Sequence, residues 1–154
     1  LKNKFDLKVA SEPATIEGGD VIHFENKLIC GLSKRTNASG AKQLEDFIGV
    51  PVVTFIAQDI MHLKSYINYL GRNTIIVAER YAEHPLLASY HKIIIPRTET
   101  YAANSLAVNK AILMPHNYPK SQVLVREAGF EVISIDNSEF AKCDGALTCL
   151  SLFF

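Results

Sequence analysis

The chain has 154 residues, of which 48% are hydrophobic and 21% charged, a composition typical of one ordinary globular domain that can bury a core. Its 16 basic residues balance 16 acidic ones and form no basic cluster, so neither a nucleic-acid nor a membrane partner is indicated. No apolar run approaches the roughly 18 residues that span a bilayer, and no signal-peptide pattern opens the sequence. We therefore predict a single cytoplasmic domain over residues 1–154.

The first predicted elements form a unit of two strands, a helix and a third strand. Ser39 is predicted to cap the helix, whose apolar residues keep helical spacing, and Gly49 is predicted to end it. Its strands are predicted at residues 18–24, 28–32 and 51–57, with a hairpin turn at residues 25–27. A further strand, at residues 5–10, is predicted before this unit.

The same order of elements is predicted twice more. The second unit has strands at residues 62–70, 74–79 and 92–95, a turn at 71–73 and a short helix at 85–90. The third has strands at 103–108, 111–114 and 131–135, a turn at 109–110 and a helix from Pro119 that Gly129 ends. A helical turn at 137–142 follows. An Asp144-Gly145 turn then leads into a last apolar strand that begins at Leu147.

Self-similarity at a period near 40 residues predicts repeated units arranged around an axis, because one such unit cannot bury its apolar face alone. Three units and one strand do not comfortably close a ring. We therefore expect that part of the ring lies outside this chain.

Four polar or reactive residues recur with the repeat. Glu17, His62, Asn104 and Cys149 each precede or begin the first strand of a unit, at intervals of 42 to 45 residues. Pseudo-symmetry would bring them together near the axis. A Glu, a His and a Cys are the components of a nucleophile, a base and an orienting group.

Each of these residues also has a structural interpretation. An unpaired Cys in an apolar strand, such as Cys149, is commonly a small buried hydrophobe, and His62 could be a satisfied histidine at a strand start. The pair Gly18-Gly19 could serve a tight turn with positive φ. The three cysteines form neither a disulfide framework nor a zinc spacing, and the histidines show no metal spacing, so we predict free thiols, no metal and no cofactor.

Five short segments in register resemble the guanidine-modifying superfamily that contains arginine deiminase, and most closely the dimethylarginine dimethylaminohydrolases. The segments are residues 16–21 (IEGGDV), 31–37 (GLSKRTN), 62–65 (HLKS), 102–104 (AAN) and 144–151 (DGALTCLS). The resemblance implies an α/β fold: a pseudo-symmetric α/β-propeller of ββαβ modules with its active site on the axis, of which this chain would hold about three modules of five.

The resemblance also implies an activity, the hydrolysis of a methylated arginine to citrulline and an alkylamine without a cofactor. Cys149 would be the nucleophile and His62 the general acid and base. Glu17 would hold the substrate guanidinium and orient the histidine. A soft thiolate suits a guanidinium carbon, which is a poor electrophile.

Four further residues are implied to bind substrate. Arg35 would grip the α-carboxylate, and Cys143 lies where the family contacts the amino-acid end of the substrate through its backbone. Asp20 and Asp144 fall in the matching segments. Asp20 could instead be a structural partner of the loop around Arg35, and Arg35 could be a solvated surface charge.

The sequence also departs from the family. Lys64 stands where arginine deiminases have a carboxylate two residues after the histidine, which favours the dimethylarginine enzymes. The resemblance places the remaining guanidinium-binding carboxylates in an N-terminal half that we expect to lie outside this chain, so we expect self-association or further chain to complete the site. The alternatives are a non-catalytic propeller fragment that binds a partner chain and an activity like that of arginine deiminases or amidinotransferases.

Overall fold

The computed structural model describes residues 5–152 of the chain. The chain divides into two compact units, of which the first ends at His62 and the second begins at Leu63. One strand pattern builds both units: two antiparallel strands, then a third strand parallel to the second. This three-stranded sheet occurs once in the first unit and twice in the second.

The first unit contains one ββαβ module. Its elements are β1 (Val21–His23), β2 (Leu28–Leu32), the helix α1 (Ala38–Ile48) and β3 (Val52–Ile56), and the strand order is β1-β2-β3. Because β2 and β3 are parallel, the chain must cross over between them, and α1 provides that crossover. The central strand β2 is almost entirely buried and supplies the core of this module.

The ends of α1 are fixed by side-chain and backbone hydrogen bonds. The predicted N-cap, Ser39, is wrong: Asn37 caps the helix, because its backbone is extended and its Oδ1 accepts the Gly40 N–H at 2.8 Å. A Cβ at Gly40 would lie 2.1 Å from the Thr15 carbonyl oxygen, so only glycine permits this close approach. The predicted end at Gly49 is confirmed, with φ of 71°.

The second unit contains two further modules. The first has the strands β4 (Ile67–Gly71), β5 (Thr74–Ala78) and β6 (His91–Ile95), with only a 3₁₀ turn (Pro85–Leu87) where a short helix was predicted. The second has β7 (Leu106–Val108), β8 (Ala111–Pro115), the helix α2 (Pro119–Glu127) and β9 (Glu131–Ile135), and is followed by the short helix α3 (Ser138–Ala141). Their shared core is formed by buried apolar side chains, which include Leu70, Ile76, Ile93, Ile112, Met114 and Val125.

The predicted hairpin turns of the second unit are confirmed. Arg72 and Asn73 both have φ of 52°, and Asn109 has φ of 55°. Asparagine tolerates the left-handed region better than most residues, and two-residue hairpins need it.

Five predicted strands are wrong in whole or in part. Residues 5–10 form no strand, and the strand predicted from Gly18 begins at Val21 after a 3₁₀ turn (Gly18–Asp20). The strand predicted from His62 begins at Ile67, because a 3₁₀ turn (Leu63–Ser65) precedes it, and the strand predicted from Ala103 begins at Leu106 after the 3₁₀ segment Arg97–Ala103. Residues 147–150 form a turn, in which the Cys149 N–H donates to the Ala146 carbonyl at 3.0 Å. The last two residues of that predicted strand lie outside the described residues.

Among residues 5–152, no helix has both the length and the apolar character that crossing a membrane requires. The longest, α1, has 11 residues.

Candidate functional site

The first unit brings three of the predicted site residues together. The Nε2 atom of His62 lies 2.5 Å from Oε2 of Glu17, and Nη1 of Arg35 lies 3.6 Å from the other carboxylate oxygen, Oε1. The Glu17 side chain is 41% exposed and that of His62 25%, so the pair can be reached from solvent. The hydrogen bond from His62, and more weakly the charges of Arg35 and His62, hold the pKa of Glu17 below its usual range despite partial burial.

Gly19 allows the His62 ring to lie where it does. A Cβ at Gly19 would be 2.6 Å from Cγ of His62 and 2.8 Å from Cδ2, which is closer than side-chain atoms approach. The pair does lie in a tight 3₁₀ turn (Gly18–Asp20), but neither glycine has a positive φ, so the predicted reason for the two glycines is wrong. Gly19 is required for a close contact with the ring.

Asp20 organises the loop that carries Arg35. Its side chain is fully buried, and its Oδ2 accepts hydrogen bonds from the hydroxyls of Ser33 and Thr36, both at 2.7 Å. The Thr36 hydroxyl in turn accepts the Glu17 N–H at 3.0 Å. The structural interpretation of Asp20 therefore agrees with the geometry, and direct contact with substrate stays a prediction.

A cavity of about 540 Å³ opens beside these residues in the first unit. Its lining includes Glu17, Lys34, Arg35 and the segment from Ala14 to Ile16. One carboxylate and two cations therefore face one space, and such a set can hold a molecule that carries both a cationic and an anionic group.

The second unit carries the predicted nucleophile. Cys149 is exposed within the turn at residues 147–150, contrary to the buried interpretation of this thiol. Cys143 is also exposed, whereas Cys30 is buried. Asp144 has φ of 58°, and a Cβ at Gly145 would lie 2.9 Å from the Phe140 carbonyl oxygen, so the predicted Asp-Gly turn is confirmed.

Asn104 and Lys64 lie next to this turn. Asn104 is buried and bonds to both the backbone and the hydroxyl of Thr148, the residue before Cys149. Burial lowers the pKa of Lys64, and the Cys149 thiolate acts in the opposite direction. Lys64 therefore lies close enough to Cys149 for the two groups to interact electrostatically.

The structure thus brings Glu17, His62 and Arg35 together in one unit and surrounds Cys149 with Asn104 and Lys64 in the other. Convergence of Cys149 with Glu17 and His62 stays a prediction. Sequence reasoning missed Gly19, Thr36 and Thr148, although each stands within two residues of a predicted site residue. Among residues 5–152, no group of three or more His, Cys, Asp and Glu side chains could hold a metal ion.

Three modules of one strand order, the second with a 3₁₀ turn in place of the helix, are typical of a class of protein, the α/β-propellers of the guanidine-modifying superfamily, and the solved structures below confirm the predicted fold class. The family model described as "Arginine deiminase" matches residues 2–96. The chain belongs to the arginine deiminase family.

Two curated relatives are named N(G),N(G)-dimethylarginine dimethylaminohydrolase. The chain is 34% identical to the one from Pseudomonas aeruginosa over 92% of its length, and 32% identical to the one from Streptomyces coelicolor, also over 92%. It covers 57% and 55% of these two proteins, so the chain spans little more than half the length of the curated relatives it matches.

The solved structures agree. A variant of the Pseudomonas aeruginosa enzyme complexed with citrulline superimposes with a TM-score of 0.90 at 33% identity, over 94% of this chain and 58% of that one. An amidinotransferase of the saxitoxin biosynthetic pathway from Microseira wollei superimposes with a TM-score of 0.77 at 14% identity, over 87% of this chain and 46% of that one. The second likeness concerns the fold alone.

Proposed function

We propose that the chain belongs to an amidine hydrolase that converts N-methylated arginine into citrulline and an alkylamine. The observation that carries the proposal is the 2.5 Å contact between His62 and Glu17 beside Arg35. His62 is an oriented acid and base, Glu17 offers a carboxylate to a guanidinium, and Arg35 offers a cation to a carboxylate. The dimethylargininase names of two relatives and the citrulline bound to a similar structure support the same chemistry.

The first half of the proposed reaction forms a covalent intermediate. The Cys149 thiolate attacks the guanidinium carbon and forms a C–S bond, which gives a tetrahedral adduct. The bond from that carbon to the methylated nitrogen then breaks, and His62 donates a proton to the departing amine. A thiouronium remains on Cys149.

The second half returns the enzyme to its starting state. The neutral His62 removes a proton from water, the water oxygen bonds to the thiouronium carbon, and the C–S bond breaks. The second proton of that water passes to solvent, so the products are citrulline, whose ureido oxygen comes from water, and the Cys149 thiolate, with His62 protonated again. Glu17 keeps the imidazole oriented through both halves, because its Oε2 is the hydrogen-bond partner of Nε2.

The roles of the remaining residues follow from their charge. Arg35 takes the α-carboxylate of the substrate, whose binding would replace its 3.6 Å contact with Glu17. The backbone at Cys143 and Asp144 takes the amino-acid end. Lys64 adds a positive charge next to Cys149, where a carboxylate would be expected of an arginine deiminase, and this supports a methylated substrate over arginine.

Citrulline release tests this proposal. The full-length gene product is incubated with asymmetric dimethylarginine, monomethylarginine and arginine, and is compared with its Cys149→Ser and Cys143→Ser variants. We expect release from the methylated substrates that Cys149→Ser abolishes and Cys143→Ser keeps, because both thiols are exposed but only Cys149 is the proposed nucleophile. Equal release by the Cys149→Ser variant would refute the thiol mechanism.

The substrate ranking separates the remaining alternatives. Faster turnover of arginine would indicate a deiminase. Transfer to an added amine instead of water would indicate an amidinotransferase. Absence of release by a folded gene product would favour a non-catalytic propeller that binds a partner chain.

A further inference from the structure

The turn that carries Cys149 is held by one buried side chain from a neighbouring segment. Asn104 is 3% exposed, and its Oδ1 accepts the Thr148 N–H at 3.1 Å. Its Nδ2 donates to the Thr148 hydroxyl at 3.0 Å and to the Lys64 carbonyl at 3.1 Å. An amide side chain has one oxygen acceptor and two N–H donors, so all three functions of Asn104 are engaged.

We propose that Asn104 is a positioning residue that orients the Cys149 thiol through Thr148, and this inference rests on the proposed role of Cys149 as nucleophile. Two bonds to Thr148, one to its backbone and one to its side chain, leave that residue little freedom to rotate. Because Cys149 follows Thr148 directly, the same two bonds also limit where its Cα lies and in which direction its side chain points. Asn104 itself is buried, so water competes poorly for its amide.

The opposite end of the turn is anchored to the same segment. The Tyr101 hydroxyl donates to the Gly145 carbonyl at 2.5 Å and accepts from Nδ2 of Asn137 at 2.9 Å. The Asn104 N–H itself donates to the Tyr101 carbonyl at 3.1 Å. Residues 145–148 are therefore held at both ends by two side chains that are three positions apart in sequence.

The same network holds the backbone of Lys64. Its carbonyl oxygen accepts from Nδ2 of Asn104 and from Nδ2 of Asn68, at 3.1 and 2.7 Å. One amide thus ties together the backbone of the lysine and the backbone before the thiol. Of the two asparagines, only Asn104 also bonds the turn that carries Cys149, so it alone links the Lys64 backbone to the direction of the thiol.

Asn68 provides a matched control. It is also buried, also an asparagine and also bonded to the Lys64 carbonyl, but its other bond is to the Ala103 carbonyl, not to the Cys149 turn. An effect that comes only from lost stability should occur in Asn68→Ala and in Asn104→Ala alike. An effect on the thiol should be confined to Asn104→Ala.

The test measures alkylation of Cys149 by iodoacetamide across pH, resolved from Cys143 by peptide mass spectrometry, on the full-length gene product and both variants. Cys143 is exposed and serves as the reference thiol in each sample. We expect Asn104→Ala to lower the rate of Cys149 alkylation at every pH about tenfold relative to Cys143, because the thiol loses its fixed direction. Asn68→Ala should keep the wild-type ratio.

Thr148→Val covers the case in which Asn104→Ala does not fold. It removes the hydroxyl that Asn104 bonds and keeps the N–H, so it should lower the alkylation rate of Cys149 relative to Cys143 by a smaller factor, and Thr148→Ser should restore it. A wild-type ratio of the two rates in the folded Asn104→Ala and Thr148→Val variants would overturn the inference. Alkylation needs no substrate, so a failure of citrulline release would leave this result interpretable.

Discussion

Replacing Gly19 by alanine tests how closely the site depends on the place of one imidazole ring. The added Cβ would lie 2.6 Å from Cγ of His62, and ordinary contact begins near 3.4 Å, so the ring must recede by about 0.8 Å. Nε2 of the same ring makes the 2.5 Å contact with Glu17, so displacement of the ring breaks that hydrogen bond. Misplacement by about 1 Å costs roughly 100-fold in rate, or about 2.7 kcal/mol in activation free energy.

Gly18→Ala is the control for this substitution, because a Cβ at Gly18 meets nothing within 4 Å. We expect Gly19→Ala to lower the kcat of citrulline release about 100-fold and to change KM little, with Gly18→Ala close to wild type. The carboxyl resonance of Glu17 should titrate closer to its ordinary pKa in Gly19→Ala, since the His62 hydrogen bond is the main cause of the lowered value. Equal kcat in the two alanine variants would refute the reasoning.

Three further predictions concern the first unit. Burial, and secondarily the charge of Asp20, raise the pKa of Cys30 to about 11. Cys30 should therefore resist iodoacetamide at pH 8.5 while Cys143 reacts. The contribution of Cys30 to stability should fall as pH rises from about 9 to 11, because the folded chain favours the protonated thiol. The pKa of Glu17 is lower in the folded chain than its unfolded value of 4.5, so the ionised carboxylate stabilises the fold above pH 4.5, and this contribution is lost as pH falls through the folded-state pKa. The difference in Tm between wild type and Glu17→Gln should therefore shrink in acid, and a constant difference would contradict this. Thr36→Val leaves the buried Asp20 carboxylate without one donor and should lower the free energy of unfolding by about 1–3 kcal/mol in a urea titration, whereas an unchanged midpoint would show that this bond contributes nothing.

The sequence was sufficient where local chemistry decides the structure. Gly49 ends α1, and Asn73 and Asn109 form hairpin turns, because each of these residues suits a left-handed backbone whatever surrounds it. The repeat of about 40 residues likewise predicted three sheets of one strand order. These features depend on residues that are close together in sequence.

The errors arose where tertiary contacts outweigh local propensity. The apolar run after Leu147 predicted a strand, but the bonds from Asn104 and Tyr101 hold the residues before and within it in a turn. The role of Gly19 required the position of His62, which lies 43 residues further along the chain. The burial of Asp20 depended on hydroxyls from another loop, and no spacing in the sequence reveals that contact.

The two oxygens of Glu17 serve two different neighbours, and this division has a thermodynamic consequence. A guanidinium that takes Oε1 while His62 keeps Oε2 would release Arg35 at the same moment, which frees a cation for whatever anionic group the ligand carries. Binding of the cationic end of a zwitterionic ligand at Glu17 would then favour binding of its anionic end at Arg35. A guanidinium compound without a carboxylate would leave Arg35 without any counter-charge and would lose more affinity than the missing contact alone explains.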